Sequence, residues 1–216
     1  MATSGDSHEY GDERRTARKR RSILETARRV FLQKGYAGTS MDEIAAQAAV
    51  SKQTVYKNFS DKQSLFVTVI TSAIAEAERR SEDFLEALAH TADLESDLRA
   101  FAREHLETVL QPHLVQMRRV LIAEADRFPE LARTWYQAAP ERGHQTLAKL
   151  FTELVRLGKL RADDPMLAAQ HFNWLVLSIP LNRAMFRIDD EPLSPSQVGK
   201  YADEGVRIFL AAYGAE

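Results

Sequence analysis

Residues 40–62, SMDEIAAQAAVSKQTVYKNFSDK, decide the fold. Met41, Ile44, Ala45 and Ala48 recur at the spacing of one helical face. Ser40 with Glu43 has the form of a capping box, in which the hydroxyl takes a free N–H and the carboxylate reaches back. Val50 falls in a turn, and Ser51 is an N-cap for a second helix over residues 52–59. That helix turns Val55 and Phe59 inward and leaves Lys52, Gln53, Tyr56 and Lys57 facing outward. Ser60 with Gln63 repeats the capping-box pattern and opens a third helix. Two short capped helices across a tight turn have the sequence form of a helix-turn-helix, whose second helix can enter a DNA major groove.

Charge agrees with that reading. The chain of 216 residues has a net charge of -2, which conceals an asymmetry. Residues 14–62 hold 12 Lys/Arg against 4 Asp/Glu, and the remainder 17 against 27. A basic front can meet phosphates, and an acidic back does not. Hydrophobic residues make up 44% of the chain, enough for a packed core. No apolar run approaches the roughly 18 residues of a membrane span. The first 22 residues are polar and charged, without a secretory signal, and the absence of Cys excludes disulfides, Cys-based zinc sites and thiol redox sensing by this chain. The expected location is cytoplasmic.

Outward from the central stretch, residues 1–13 lack periodicity and read as a disordered tail. The run RRTARKRR at 14–21 opens a first helix, and an arm of this kind can touch backbone phosphate or simply be solvated. Ile23, Leu24, Ala27, Val30 and Phe31 form its apolar stripe, and Gly35 fits a C′ stop. Residues 14–62 are therefore expected to be a DNA-binding domain, and residues 63–216 a second, larger helical domain. The fold class is all-α, with about nine helices and no alternating strand pattern. Further helices are expected from residue 61 or 62 onward, over 94–110, over 113–126 after Pro112, over 130–157 before Gly158, from the Asp164-Pro165 cap to 186, and from a Ser194/Gln197 capping box to 213. Residues 84–89 either extend or break the helix that begins near 61.

Two of these helices stand apart. Residues 167–185 are apolar on nearly every side, and a helix apolar all round must be buried all round. The last helix carries Val198, Tyr201, Ala202, Gly205, Ile208, Phe209 and Ala212 in one stripe. One chain covers one face of each, and a second copy is the simplest cover for the other, which predicts a homodimer through the last two helices.

Several residue types at fixed offsets carry a resemblance. Thr39-Ser40-Met41-Asp42-Glu43-Ile44-Ala45, Val50-Ser51-Lys52-Gln53-Thr54-Val55-Tyr56-Lys57-Asn58-Phe59 and Asp61-Lys62 with Leu65-Phe66 resemble the TetR family of transcriptional regulators over residues 18–66. The stretch 118–161, with Glu124-Ala125, Phe128-Pro129-Glu130-Leu131 and Gly158-Lys159-Leu160, is similar to the AefR-like C-terminal domain. The resemblance implies an all-helical homodimer on a palindromic double-stranded DNA operator, with an effector pocket in the C-terminal domain. It implies a regulator, by expectation a repressor, released when a small-molecule effector changes the spacing of the two DNA-binding heads.

Candidate site residues follow. Lys52 can donate to guanine and Gln53 can pair with adenine. Thr54 can meet a phosphate or a thymine methyl, and Tyr56 offers a hydroxyl to phosphate. Thr39, Ser40 and Ser51 lie at helix N-termini, where phosphates bind. Lys57, Asn58 and Lys62 complete the expected contacts, although Lys57-Asn58 departs from the family pattern. Phe101, His105, Met117, Trp135, Phe151, Asn173 and Trp174 are candidates for the pocket, with plain core or dimer interface as the competing role of each. Two alternatives remain: a DNA-binding dimer without an effector, and a helical-bundle enzyme. The enzyme reading is weak, because a di-iron bundle needs repeated Glu-x-x-His motifs and only Glu141 with His144 matches. No enzyme activity, metal or cofactor is expected.

Overall fold

The computed structural model describes residues 6–89, 91–188 and 191–215, with the side chains of 6–13, 77–87 and 89 left out. Its elements are α1 (Asp6–Lys34), α2 (Met41–Gln47), α3 (Lys52–Asn58), α4 (Lys62–Ala89), α5 (Leu94–Val109), α6 (Pro112–Ala123), α7 (Pro129–Tyr136), a π-helical turn (Gln137–Glu141), α8 (Arg142–Arg156), α9 (Pro165–Phe186) and α10 (Pro195–Tyr213). The π turn joins α7 to α8, so the described residues form nine continuous helical stretches. The chain is all-α as expected, and its one β-type contact among the described residues is an isolated bridge between Leu160 and Gly214.

Local chemistry explains most boundaries. Gly35 adopts φ 73 and ends α1, a conformation costly for any residue with a Cβ. Asp164 accepts the N–H groups of Met166 and Leu167 to start α9, and Ser194 with Gln197 forms a complete capping box on α10. Four expectations change. The helix expected to start at Arg14 begins at Asp6, where an acidic residue favours a helix N-terminus; residues 1–5 of the expected tail lie outside the described residues. Ser40 caps Glu43 N–H, but the Glu43 carboxylate turns to Lys34 and Gln47 instead of closing the box. Asp61, not Ser60, caps the start of α4, accepting from Ser64 N–H at 2.7 Å. The helix expected over 130–157 contains the π turn at Pro140, which has no N–H to continue an α ladder. Residues 84–89 extend α4.

The chain forms two compact units, Met1–Ser72 with Val120–Ala132, and Ala73–Arg119 with Arg133–Glu216. This differs from a single cut at 62/63. The chain passes between units at 72/73, 119/120 and 132/133, each time inside a helix (α4, α6 and α7). Helix continuity carries the chain beyond a boundary read from motif ends.

In the first unit Ile23, Ala27, Val30, Phe31, Ile44, Val55, Phe59, Leu65 and Phe66 are buried. The Phe66 ring packs edge-on to Phe31 at 4.6 Å and lies 4.9 Å from Tyr36, which meets Phe128 at 4.7 Å. The Glu124 carboxylate accepts the Ala37 N–H at 3.0 Å. Residues 124 and 128 therefore close the same small core as α1 and α4.

In the second unit α9 packs against α8 and α10, and α10 against α5. Phe151, Phe172 and Phe209 fill the centre, with Phe151 and Phe172 each 5.2 Å from Phe209. A Cβ on Gly205 would lie 3.1 Å from the Leu175 carbonyl oxygen, so the absence of a side chain there sets the approach of α10 to α9. α9 buries Phe172, Val176, Leu177 and Leu181 but leaves Leu167, Trp174, Leu175 and Ile179 exposed, the last by 58%.

Candidate nucleic-acid interface and internal cavity

α2 and α3 are held by caps only a few bonds long. The turn passes through Ala49 at φ 54. Ser51 Oγ accepts Thr54 N–H at 3.1 Å and shares a 2.8 Å bond with Thr54 Oγ1. At the far end Asn58 Nδ2 donates to the Thr54 carbonyl at 2.8 Å. Val55 and Phe59 anchor α3 inward. Ser40, Ser51, Lys52, Gln53, Tyr56 and Lys57 are exposed, while Thr54 and Asn58 are half-buried. Tyr56 is 51% exposed, unusual for an unengaged aromatic ring on a seven-residue helix. Lys52 pairs with Asp42 at 2.6 Å, but both side chains are more than half exposed. Such a pair is worth little and exchanges readily for another anion.

α1 adds cations beside this helix. Arg20 lies 4.6 Å over the Phe59 ring at the end of α3, and residues 14–21 are all exposed. Arg20 was legible only as part of a basic run.

Two expected phosphate contacts have other work. Thr39 is buried, and its hydroxyl donates to the Gly35 carbonyl at 2.8 Å. Lys62 Nζ donates to the carbonyls of Tyr36 at 2.9 Å and Thr39 at 3.0 Å, and lies 4.5 Å over the Tyr36 ring. Burial lowers the Lys62 pKa, opposed by Glu124, while burial and then Asp61 raise the Tyr36 phenol. Both residues tie the loop after α1 to the start of α4.

The second unit contains a cavity of about 260 Å³. Of the pocket candidates, Phe101, His105, Trp135, Asn173 and Trp174 line it. Met117 and Phe151 do not: Met117 is buried, and Phe151 sits in the Phe172–Phe209 cluster. In place of Met117 the next residue, Arg118, reaches the cavity, since one step along a helix turns the side chain by about 100°. Thr108, Arg142 and Thr146 also line it, with Ala139 and Pro140 from the π turn. His105 Nε2 bonds to Asn173 Oδ1 at 3.0 Å and stacks on Phe101 at 5.6 Å. Burial lowers the His105 pKa, His144 and Arg118 push the same way, and the bond to Asn173 opposes them. Burial also lowers His144. Among the described residues no three His, Asp or Glu side chains gather to hold a metal ion, and no helix is long and apolar enough to cross a membrane.

Residues 23–69 match the bacterial regulatory proteins of the tetR family, and residues 96–215 match the AefR-like transcriptional repressor C-terminal domain. A solved TetR-family transcriptional regulator from Mesorhizobium loti MAFF303099 is 40% identical, with TM-score 0.85, over 93% of this chain and 99% of that one. The flavonoid-responsive regulator FrrA is 32% identical, with TM-score 0.76, over 92% of this chain and 98% of that one. The HTH-type transcriptional regulator AcrR of Shigella flexneri is 36% identical over 105 residues, 49% of this chain and 46% of AcrR. The chain thus spans less than half the length of that curated relative.

Proposed function

Because the chain belongs to the tetR family of bacterial regulatory proteins, we propose that it is a sequence-specific DNA-binding transcriptional regulator, a repressor released from its operator by a small molecule. The observation that carries this reading is α3: a short helix capped by Ser51, anchored by Val55 and Phe59, and presenting Lys52, Gln53 and Tyr56 to solvent. Lys52 and Gln53 read base edges, while Thr54 and Tyr56 meet the backbone or a thymine methyl. Ser40, Ser51, Lys57, Asn58 and the basic run of α1 flank them on phosphates. The exposed apolar face of α9 with Ile208 of α10 joins two copies, so that two α3 helices enter successive major grooves about 34–36 Å apart.

The effector occupies the cavity between Phe101, Trp135 and Trp174 and is a flat aromatic molecule. The aromatic walls support this, as does the flavonoid response of FrrA. Ligand and DNA oppose each other by linkage, each lowering the affinity of the other. Three helices run from one compact unit into the other and carry that coupling. The cavity also favours this reading over a DNA-binding dimer without an effector. The site of action is the cytoplasm.

The test is selection of duplexes from a random library, followed by gel shift. A palindromic site is expected, retained by the wild type and lost with Lys52→Ala/Tyr56→Ala while circular dichroism is unchanged. Equal retention by the double variant sinks the assignment of α3.

A further inference from the structure

Arg118 lines the cavity from α6, half-buried, and among the described residues it makes no hydrogen bond or ion pair. Two other arginines of this unit are engaged: Arg119 donates to the carbonyls of Ala184 and Met185, and Arg103 forms a two-pronged pair with Asp203. Among the described residues no Asp or Glu lines the cavity, which Arg142 also borders. A guanidinium stays charged at any physiological pH, and its fork of donors matches a carboxylate. Placing it without a counter-ion against apolar walls is costly unless a bound anion completes it.

We propose that the cavity takes a small aromatic organic acid, its carboxylate held by the Arg118 guanidinium and its ring between the aromatic walls. This rests on the reading of the cavity as the effector site. Among the polar residues lining the cavity, Arg118 is cationic, while His105 and Asn173 satisfy each other at 3.0 Å. Burial lowers the His105 pKa, which disfavours the imidazolium, so Arg118 sets the sign of the ligand's charge. The volume of about 260 Å³ exceeds the roughly 150 Å³ that accepts one benzene, so one ring with substituents or a fused pair fits.

The chain has 2 Trp, Trp135 and Trp174, and both line the cavity, so intrinsic fluorescence reports on it. The experiment titrates the full chain with benzoate and naphthalene-2-carboxylate, each against its neutral amide. At least one acid is expected to bind about tenfold or more tightly than its amide, the scale of one charge-assisted pair. Arg118→Met is expected to abolish that preference, leave amide binding in place and raise the melting temperature of the unliganded chain. Arg118→Lys keeps a preference for the acid and serves if the Met variant does not fold. An amide that binds as tightly as its acid overturns the proposal while leaving the cavity a ligand site. Absence of binding by all four compounds overturns it together with that reading. An acid that binds in preference to its amide, yet leaves operator affinity unchanged, supports the proposal and removes the effector reading alone.

Discussion

Replacing Lys62 by Met separates a structural ammonium from a DNA-binding one. Lys62 Nζ holds two carbonyls, those of Tyr36 and Thr39, and lies over the Tyr36 ring. Hydrogen bonds to a charged group are worth about 1.5–3 kcal/mol each. Two of them would exceed about 3 kcal/mol, but the substitution also removes the cost of burying the ammonium, since burial is the largest influence on its pKa. A net loss of about 2 kcal/mol follows. For a chain of this length that lowers the melting temperature by about 4–8 °C. The assay is a thermal melt beside a gel-shift titration across salt. Each phosphate contact contributes about -0.9 to the slope of log affinity against log salt, and that slope should not change in the Met variant. An unchanged melting temperature with a slope shallower by about one unit would refute the internal assignment and restore Lys62 to the phosphates.

Ala49 adopts φ 54 in the turn between α2 and α3, so Ala49→Gly should stabilise the chain by about 0.5–1 kcal/mol in denaturant melts; a destabilised variant would count against strain there. Gly205→Ala places a Cβ 3.1 Å from the Leu175 carbonyl and should cost about 1–3 kcal/mol by the same measurement; a neutral result would mean that α9 and α10 separate freely. Burial lowers the pKa of both His105 and His144. The unfolded chain therefore takes up protons first, and their contribution is complete above about pH 6.5 and lost as pH falls below it. Melting temperatures should drop between about pH 7 and 5.5, and less steeply in His105→Gln; equal slopes in the two proteins would remove His105 as a cause.

The outward face of α3 was largely legible because its determinants are local. Ser51 caps Thr54 three residues on, and the outward positions of Lys52, Gln53 and Tyr56 follow from helical spacing once Val55 and Phe59 are placed inside. The cavity was legible in part. Aromatic residues at 101, 135 and 174 stand out in a sequence, but Arg118 does not, because an Arg in an amphipathic helix ordinarily faces water. The π turn is not legible in the sequence, because Pro140 fits the helical period around it and only its missing N–H interrupts the ladder.

By itself the sequence determined most of the helices, the caps at Ser51, Asp164 and Ser194, the left-handed stop at Gly35 and the basic face beside α3, since each depends on groups within one or two turns of chain. Tertiary structure decided what the polar side chains do. Lys62 finds carbonyls 23 and 26 residues away, Glu124 finds an N–H 87 residues away, and Arg118 finds a cavity lined, among the described residues, by no carboxylate. A cation's role depends on which acceptors the fold brings within about 3 Å, and sequence spacing does not encode that distance.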